Sequence, residues 1–283
     1  MTTGSQTDAG IIPAPPGCAS QLRLHEFRSK IFNNQRMLRV WLPPGYEDPV
    51  NRTKRYPVLY LNDGQNLFDA STSFTGIAWQ AGETAGRLVR SKKIPSLIIV
   101  GVDNAQDQRI GEYSPYCTSM LPTRKAQGKR YPDFLLNEVA PFIRKRYRIA
   151  SGQENTGLGG SSLGATISLY IVMARPNLFG RVLLESPALA FCQHELLRDA
   201  RNSRNWPQRI FMAVGSQETG DQERSQEVVD SVHRLAKILR WNGLGPQRLK
   251  ICVDEGATHS ESAWARRLPA ALEFLYEKSP IEF

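Results

Sequence analysis

Long apolar runs are missing from this 283-residue chain. A helix that crosses a membrane needs about 18 or more consecutive apolar residues, so no such span is expected. Cysteine is scarce and scattered. The four, Cys18, Cys117, Cys192 and Cys252, form no Cys-x-x-Cys pair, and none has a histidine at metal-ligand spacing. This pattern predicts no metal site, and it predicts free thiols in a reducing compartment. The opening stretch "MTTGSQTDAGIIPAPPG" lacks the basic start and apolar run of a leader, which predicts a cytoplasmic protein. No Gly-x-Gly-x-x-Gly pattern occurs, and the glycine-rich turn near residue 160 has no P-loop lysine, so no nucleotide cofactor is expected. The net charge is +9, but the basic residues are spread along the chain without an arginine-rich tract. Nucleic acid is therefore not an expected partner, and no cofactor is called for.

What the chain has is alternation. Residues 1–20 are rich in Pro, Gly and Ser and predict a disordered tail, with residues 21–283 as a single domain. "QLRLHEFRS" and "QRMLRVWLP" read as a hairpin, and "YPVLYLND" and "SLIIVGVDN" as buried strands. "IAWQAGETAGRLVRS" has helical spacing between them. A long irregular stretch, residues 104–129, has the length of a functional loop. "YPDFLLNEVAPFIRKRY" predicts a helix that bends or breaks at Pro141. Beyond it, "NTGLGG", "GRVLLES", "QRIFMAVGS" and "QRLKICVDE" predict strands. The helices expected with them are "LGATISLYIVMAR", "QEVVDSVHRLAKILRWNG" and "ESAWARRLPAALEFLYEK". The fold class is α/β, a mostly parallel sheet of about eight strands with helices on both faces. In such sheets ligands sit at the carboxyl ends of the strands.

One strand end carries chemistry. "GGSSLGA" fits Gly-x-Ser-x-Gly only with Ser162 at the centre, because centring on Ser161 would need glycine where Leu163 stands. A serine on such a strand-to-helix elbow is held exposed in a strained conformation, and Ser161 is then a small spacer. The hydroxyl needs a base, and the chain has four histidines. His25 comes too early, His194 leaves no strand end before it for an acid, and His233 flanks the apolar face of a helix. His259, on the loop after the last strand, remains. The acid should follow "RIFMAVGS", where "QETGDQE" offers Glu218 first, being nearest the strand end, and Asp221 second. Oxyanion donors are expected from the backbone N–H groups of Leu163 and of Gln65, with Gly64 the lesser choice for the second.

With these pieces placed, the chain resembles an esterase branch of the α/β-hydrolases. That branch includes enterochelin-esterase-like proteins, S-formylglutathione hydrolase (esterase D), feruloyl esterases and mycolyltransferases. The resemblance is carried in family order by "VWLPPGYE", "YPVLYLNDGQNLFD", "RIGEYSP", "GGSSLGATISLY", "ARPNLFGRVLLESPAL", "VGSQETGD" and "THSESAWARRLPAALEFL". It is closest to the enterochelin-esterase-like members, and Ala165 departs from it where many relatives have a second glycine. The resemblance implies the α/β-hydrolase fold and agrees with Ser162, His259 and Glu218. It also implies that Trp79, Tyr113 and Trp264 line or support the substrate pocket. Arg109, with Arg124, Lys125 and Lys129, lies in the 104–129 loop expected to overhang the site, which predicts an aromatic or anionic acyl ester. The expected activity is serine carboxylic-ester hydrolysis on a small-molecule ester. Acyl transfer to an alcohol or sugar, and ester binding without catalysis, are the alternatives.

Overall fold

The buried runs become strands. The computed structural model describes residues 21–116, 126–191 and 193–277, and the strands within them form one eight-stranded sheet. β1 (Leu22–Ser29) and β2 (Asn34–Trp41) pair antiparallel as a hairpin. β2 then pairs antiparallel with β4 (Ile98–Val102). From there every pairing is parallel, through β3 (Val58–Asn62), β5 (Thr156–Ser161), β6 (Arg181–Glu185), β7 (Arg209–Gly215) and β8 (Leu249–Asp254). The order is β1-β2-β4-β3-β5-β6-β7-β8, which puts β5 well inside the sheet.

Side chains alternate across the strands, so each strand feeds two cores. Val58, Tyr60, Val100, Leu158 and Val182 pack on one face. That face is covered by α4 (Ala140–Arg146), α5 (Leu163–Ala174), α6 (Gln193–Asn202) and α7 (Gln222–Trp241) through Ile143, Ile167, Leu196 and Leu235. Leu59, Leu61, Ile99, Leu183 and Phe211 pack on the other, under α1 (Ala81–Arg90) and α8 (Glu261–Tyr276). A parallel sheet needs both faces covered, and this one has both. Two short helices, α2 (Arg109–Tyr113) and α3 (Tyr131–Asp133), complete the α elements.

Three expectations change in detail. The helix expected over residues 131–147 is α3, then a π-helical stretch Phe134–Val139, then α4. Pro141 sits in the first turn of α4, where its missing N–H is tolerated, and the wider π turn before it relieves the clash a proline ring makes with the preceding turn. Residues 187–207 carry no helix expectation, yet α6 forms there; its buried stripe of Leu196, Leu197 and Ala200 is too short for periodicity to reveal. The 104–129 loop contains a 3₁₀ turn, Gln106–Gln108, and α2. Arg124 and Lys125 lie outside the described residues, as does the expected tail 1–20. Among the described residues no helix is long and apolar enough to cross a membrane.

Candidate active site

The elbow between β5 and α5 places Ser162 at φ 55°, ψ −125°, a left-handed region that side chains avoid unless the surroundings hold them there. The restraint is visible on both sides of the residue. Its N–H donates to Glu185 O on β6 (2.9 Å), and its carbonyl accepts from the N–H groups of Thr166 (3.1 Å) and Ala188 (3.2 Å). The glycines of the motif are needed for close approach. A Cβ on Gly160 would come within 2.9 Å of the Gly164 carbonyl carbon, and one on Gly164 within 3.0 Å of Asp63 Oδ2. Because the Ser162 carbonyl already closes the first turn with Thr166, the N–H of Leu163 begins the helix without an intrahelical acceptor. It lies at the positive end of the α5 dipole.

His259 lies in the turn between β8 and α8, directly before Ser260, whose side chain caps α8 by accepting from Ala263 N. Its Nδ1 hydrogen-bonds Glu218 Oε2. The imidazole is partly open, with a side-chain exposure of 37%, while Glu218 is shut in at 2%. Glu218 Oε1 accepts from Gly215 N–H (2.6 Å) and Ser186 Oγ (2.7 Å). Burial pushes this carboxyl up, but the hydrogen bonds from His259, Ser186 and Gly215 outweigh it and hold Glu218 below its ordinary range. Asp221 does something else: it is the N-cap of α7, accepting from Arg224 N–H at 2.8 Å. The three residues Ser162, His259 and Glu218 thus stand at the carboxyl edge of β5, β8 and β7.

A second turn faces the elbow. After β3 the chain enters the left-handed region at Asp63 (φ 58°) and makes a 3₁₀ turn, Gly64–Asn66. Asn66 and Leu67 donate back to Asp63 O (3.0 Å) and Gly64 O (3.2 Å). The Gly64 and Gln65 N–H groups come too early in the turn to have an internal acceptor. Gly64 is the residue that lets this turn sit on the sheet, since a Cβ there would fall 2.6 Å from the Gly101 carbonyl carbon. Asn62 links the two turns, donating to Gly164 O (3.1 Å) and Ser168 Oγ (3.0 Å) and accepting from the Tyr131 hydroxyl (2.8 Å).

Between the turns lies a cavity of about 610 Å³ whose lining includes Gln65, Phe74, Arg109, Ser162, His259 and Trp264. Trp264 meets His259 edge-on, with ring centroids 5.1 Å apart. Trp79 does not line the cavity. It is 1% exposed and packs behind Trp264, centroids 5.8 Å apart. Tyr113 is also buried, its hydroxyl accepting from Asp63 N–H (3.3 Å), so both aromatic rings support the site from behind. Arg109 reaches the cavity, but its guanidinium is committed to Asp63 by two bonds of 2.7 and 2.8 Å. It is therefore not a free cation for an anionic substrate. The carboxylates of Asp63, Asp107 and Glu261 also line the cavity. Lys129 is exposed, with its ammonium 5.8 Å from the Tyr116 ring centroid. Ser186 and Asp63 carry much of this arrangement and have no motif that marks them. Of the other histidines, His25 is buried against the Tyr147 hydroxyl (2.6 Å) and His233 is exposed on α7.

Residues 29–275 match the family model described as "Putative esterase". The chain belongs to that esterase family. This chain has the α/β-hydrolase fold and is a carboxylic ester hydrolase. Among its relatives, the YbbA protein of Bacillus subtilis is 23% identical over 249 residues, 86% of this chain and 94% of that protein. The ferri-bacillibactin esterase BesA of Bacillus subtilis is 23% identical over 72% of this chain and 73% of its own length. An IroE-like serine hydrolase from Shewanella oneidensis superposes with a TM-score of 0.70 at 20% identity, over 90% of this chain and 80% of that one. At these identities the structural likeness speaks for the fold.

Proposed function

We propose that this esterase cleaves its substrate through a Ser162–His259–Glu218 triad and an acyl-enzyme. The observation that carries the reading is the strained Ser162 sharing a cavity with His259, whose Nδ1 is already bound to the buried Glu218. His259 removes the Ser162 proton through Nε2 as Oγ attacks the ester carbonyl. The negative oxygen is held by the N–H groups of Leu163 and Gln65, both free of internal acceptors at the starts of their turns. His259 then protonates the leaving alcohol. Water, activated by the same imidazole, releases the acid and restores the serine. Glu218 keeps one tautomer of His259 and stabilises its positive charge, a role suited to a carboxyl held below its usual range.

Within the substrate range expected from the sequence, the aromatic acyl group fits better than the anionic one. Phe74 and Trp264 line the cavity, whereas Arg109 is neutralised by Asp63. The relative named as a ferri-bacillibactin esterase is consistent with a small-molecule ester as substrate. A cytoplasmic location belongs to the same proposal, on the scattered cysteines of which Cys252 is a free thiol. Ser162→Ala tests the mechanism: hydrolysis of p-nitrophenyl acetate should fall by about 10⁵-fold, and a fluorophosphonate should label the wild type alone. Undiminished turnover in that variant would sink the assignment. A panel of matched methyl esters, benzoate against succinate, tests the acyl preference.

A further inference from the structure

Ser186, the residue directly after β6, has no place in the triad, yet three side chains meet on its hydroxyl. It is 1% exposed and sits at φ 43°, a conformation a serine adopts only under restraint. Its N–H donates to Ala213 O on β7 (2.7 Å). Its Oγ contacts Trp264 Nε1 (3.0 Å), Arg267 Nη2 (3.3 Å) and Glu218 Oε1 (2.7 Å).

Counting hydrogens fixes the direction of each bond. Indole and guanidinium nitrogens donate and cannot accept. They occupy the two lone pairs of Oγ, so the single hydroxyl proton has one destination, the Glu218 carboxylate. With Gly215 N–H also on Oε1, that oxygen is filled, and Oε2 is the one left to face His259 Nδ1. Arg267 is itself fixed by Glu185 (2.8 Å) and Asp254 (3.3 Å), which gives the hub a rigid base.

We propose that Ser186 is a positioning residue for the triad acid: its hydroxyl, oriented by Trp264 and Arg267, holds the Glu218 carboxylate with Oε2 toward His259. The proposal rests on the triad reading above. The test variant is Ser186→Gly, because glycine accepts φ 43° without strain, and the hydroxyl is removed together with its Cβ. Ser186→Cys, with a weaker donor, is the graded companion. Rates on p-nitrophenyl acetate are divided by the active fraction from fluorophosphonate titration, so a poorly folded preparation does not mimic the effect.

Ser186→Gly should lower kcat about 5- to 30-fold with KM little changed, and Ser186→Cys should fall between it and the wild type. The acid limb of the kcat/KM profile should also move to higher pH. A carboxylate that has lost a donor is more basic and stabilises the His259 imidazolium more strongly. Wild-type kcat in Ser186→Gly overturns the proposal, as does a fall in kcat with an unmoved acid limb, which marks a merely structural role. Ser162→Ala assayed alongside separates the two levels. Activity surviving there removes the triad itself, whereas loss there with a normal Ser186→Gly removes only the positioning.

Discussion

The two turns that frame the cavity use one device and differ in how they are supported. At Ser162 and at Asp63 a non-glycine residue takes a left-handed conformation (φ 55° and 58°) at the end of a parallel strand, and a turn follows at once. In both, close backbone approach depends on glycine: Gly160 and Gly164 around the serine, Gly64 against Gly101 at the other. The elbow is held mostly by backbone hydrogen bonds to β6 and α5. The Asp63 turn is held by side chains, with Arg109 and Asn104 on its carboxylate and Tyr113 on its N–H. On the proposed mechanism the attacking oxygen of Ser162 gains from the stiffer mount.

The largest effect expected after loss of the proposed nucleophile lies in Glu218, the proposed acid. Glu218→Gln should cut kcat about 10³- to 10⁴-fold, because an amide offers His259 the wrong partner and cannot stabilise its charge. Asp221→Asn should leave kcat within about twofold, since asparagine caps a helix as well as aspartate does. Steady-state rates on one ester decide between the two carboxyl groups, and equal losses would undo the assignment of either.

Next comes the glycine of the side-chain-held turn. In Gly64→Ala the new methyl meets backbone at Gly101 and Val102, which cannot rotate away, so the turn and its Gln65 N–H must shift. A donor displaced by about 1 Å costs roughly 10²-fold in kcat. Gly164→Ala is expected to be milder, about three- to tenfold, because its closest contact is Asp63 Oδ2 at 3.0 Å, the end of a side chain. The comparison of turns fails if the order of these two variants is reversed in kcat.

The legibility of these parts follows from their chemistry. The elbow could be read because glycine spacing marks a backbone need, and it selected Ser162 over Ser161. Elimination among four histidines pointed to His259, and nearness to the end of β7 pointed to Glu218; the structure joins the two by a hydrogen bond, and their catalytic roles are the proposal above. Parallel strands show as unbroken apolar runs, so the sheet was legible too. Ser186 and Asp63 were not, because a single polar residue after a strand has no period and no motif. Trp79 and Tyr113 were expected to line or support the cavity, and both stand behind it; an aromatic residue's type does not say on which side of the wall its ring lies. Arg109 was expected to meet substrate, and only the fold brings Asp63, 46 residues away in sequence, onto its guanidinium.

The smallest effect concerns the ground under the elbow, where two neighbouring carboxyl groups are shifted in opposite senses. Glu218 is held below its usual range, so its contribution to stability is present above the unfolded value and fades as pH falls through the folded one. Glu185, whose carbonyl anchors Ser162 N–H, is fully buried, and burial pushes its carboxyl up to about 7 despite the Arg267 guanidinium. One of its oxygens, Oε1, has no hydrogen-bond partner. Between an unfolded value near 4.5 and about 7 the folded chain binds the extra proton, so stability falls as pH rises through that window. The fall is at most about 3.5 kcal/mol, since each tenfold change in proton affinity corresponds to about 1.4 kcal/mol. Glu185→Gln keeps the shape and removes the titration. Urea unfolding at several pH values across the window should therefore slope downward for the wild type relative to Glu185→Gln, and parallel curves would show that Glu185 is ionised throughout. A downward slope would mean that the backbone-held elbow stands on a carboxyl that is still partly protonated near neutrality. The stiffer of the two turns would then be the one whose footing weakens as pH rises.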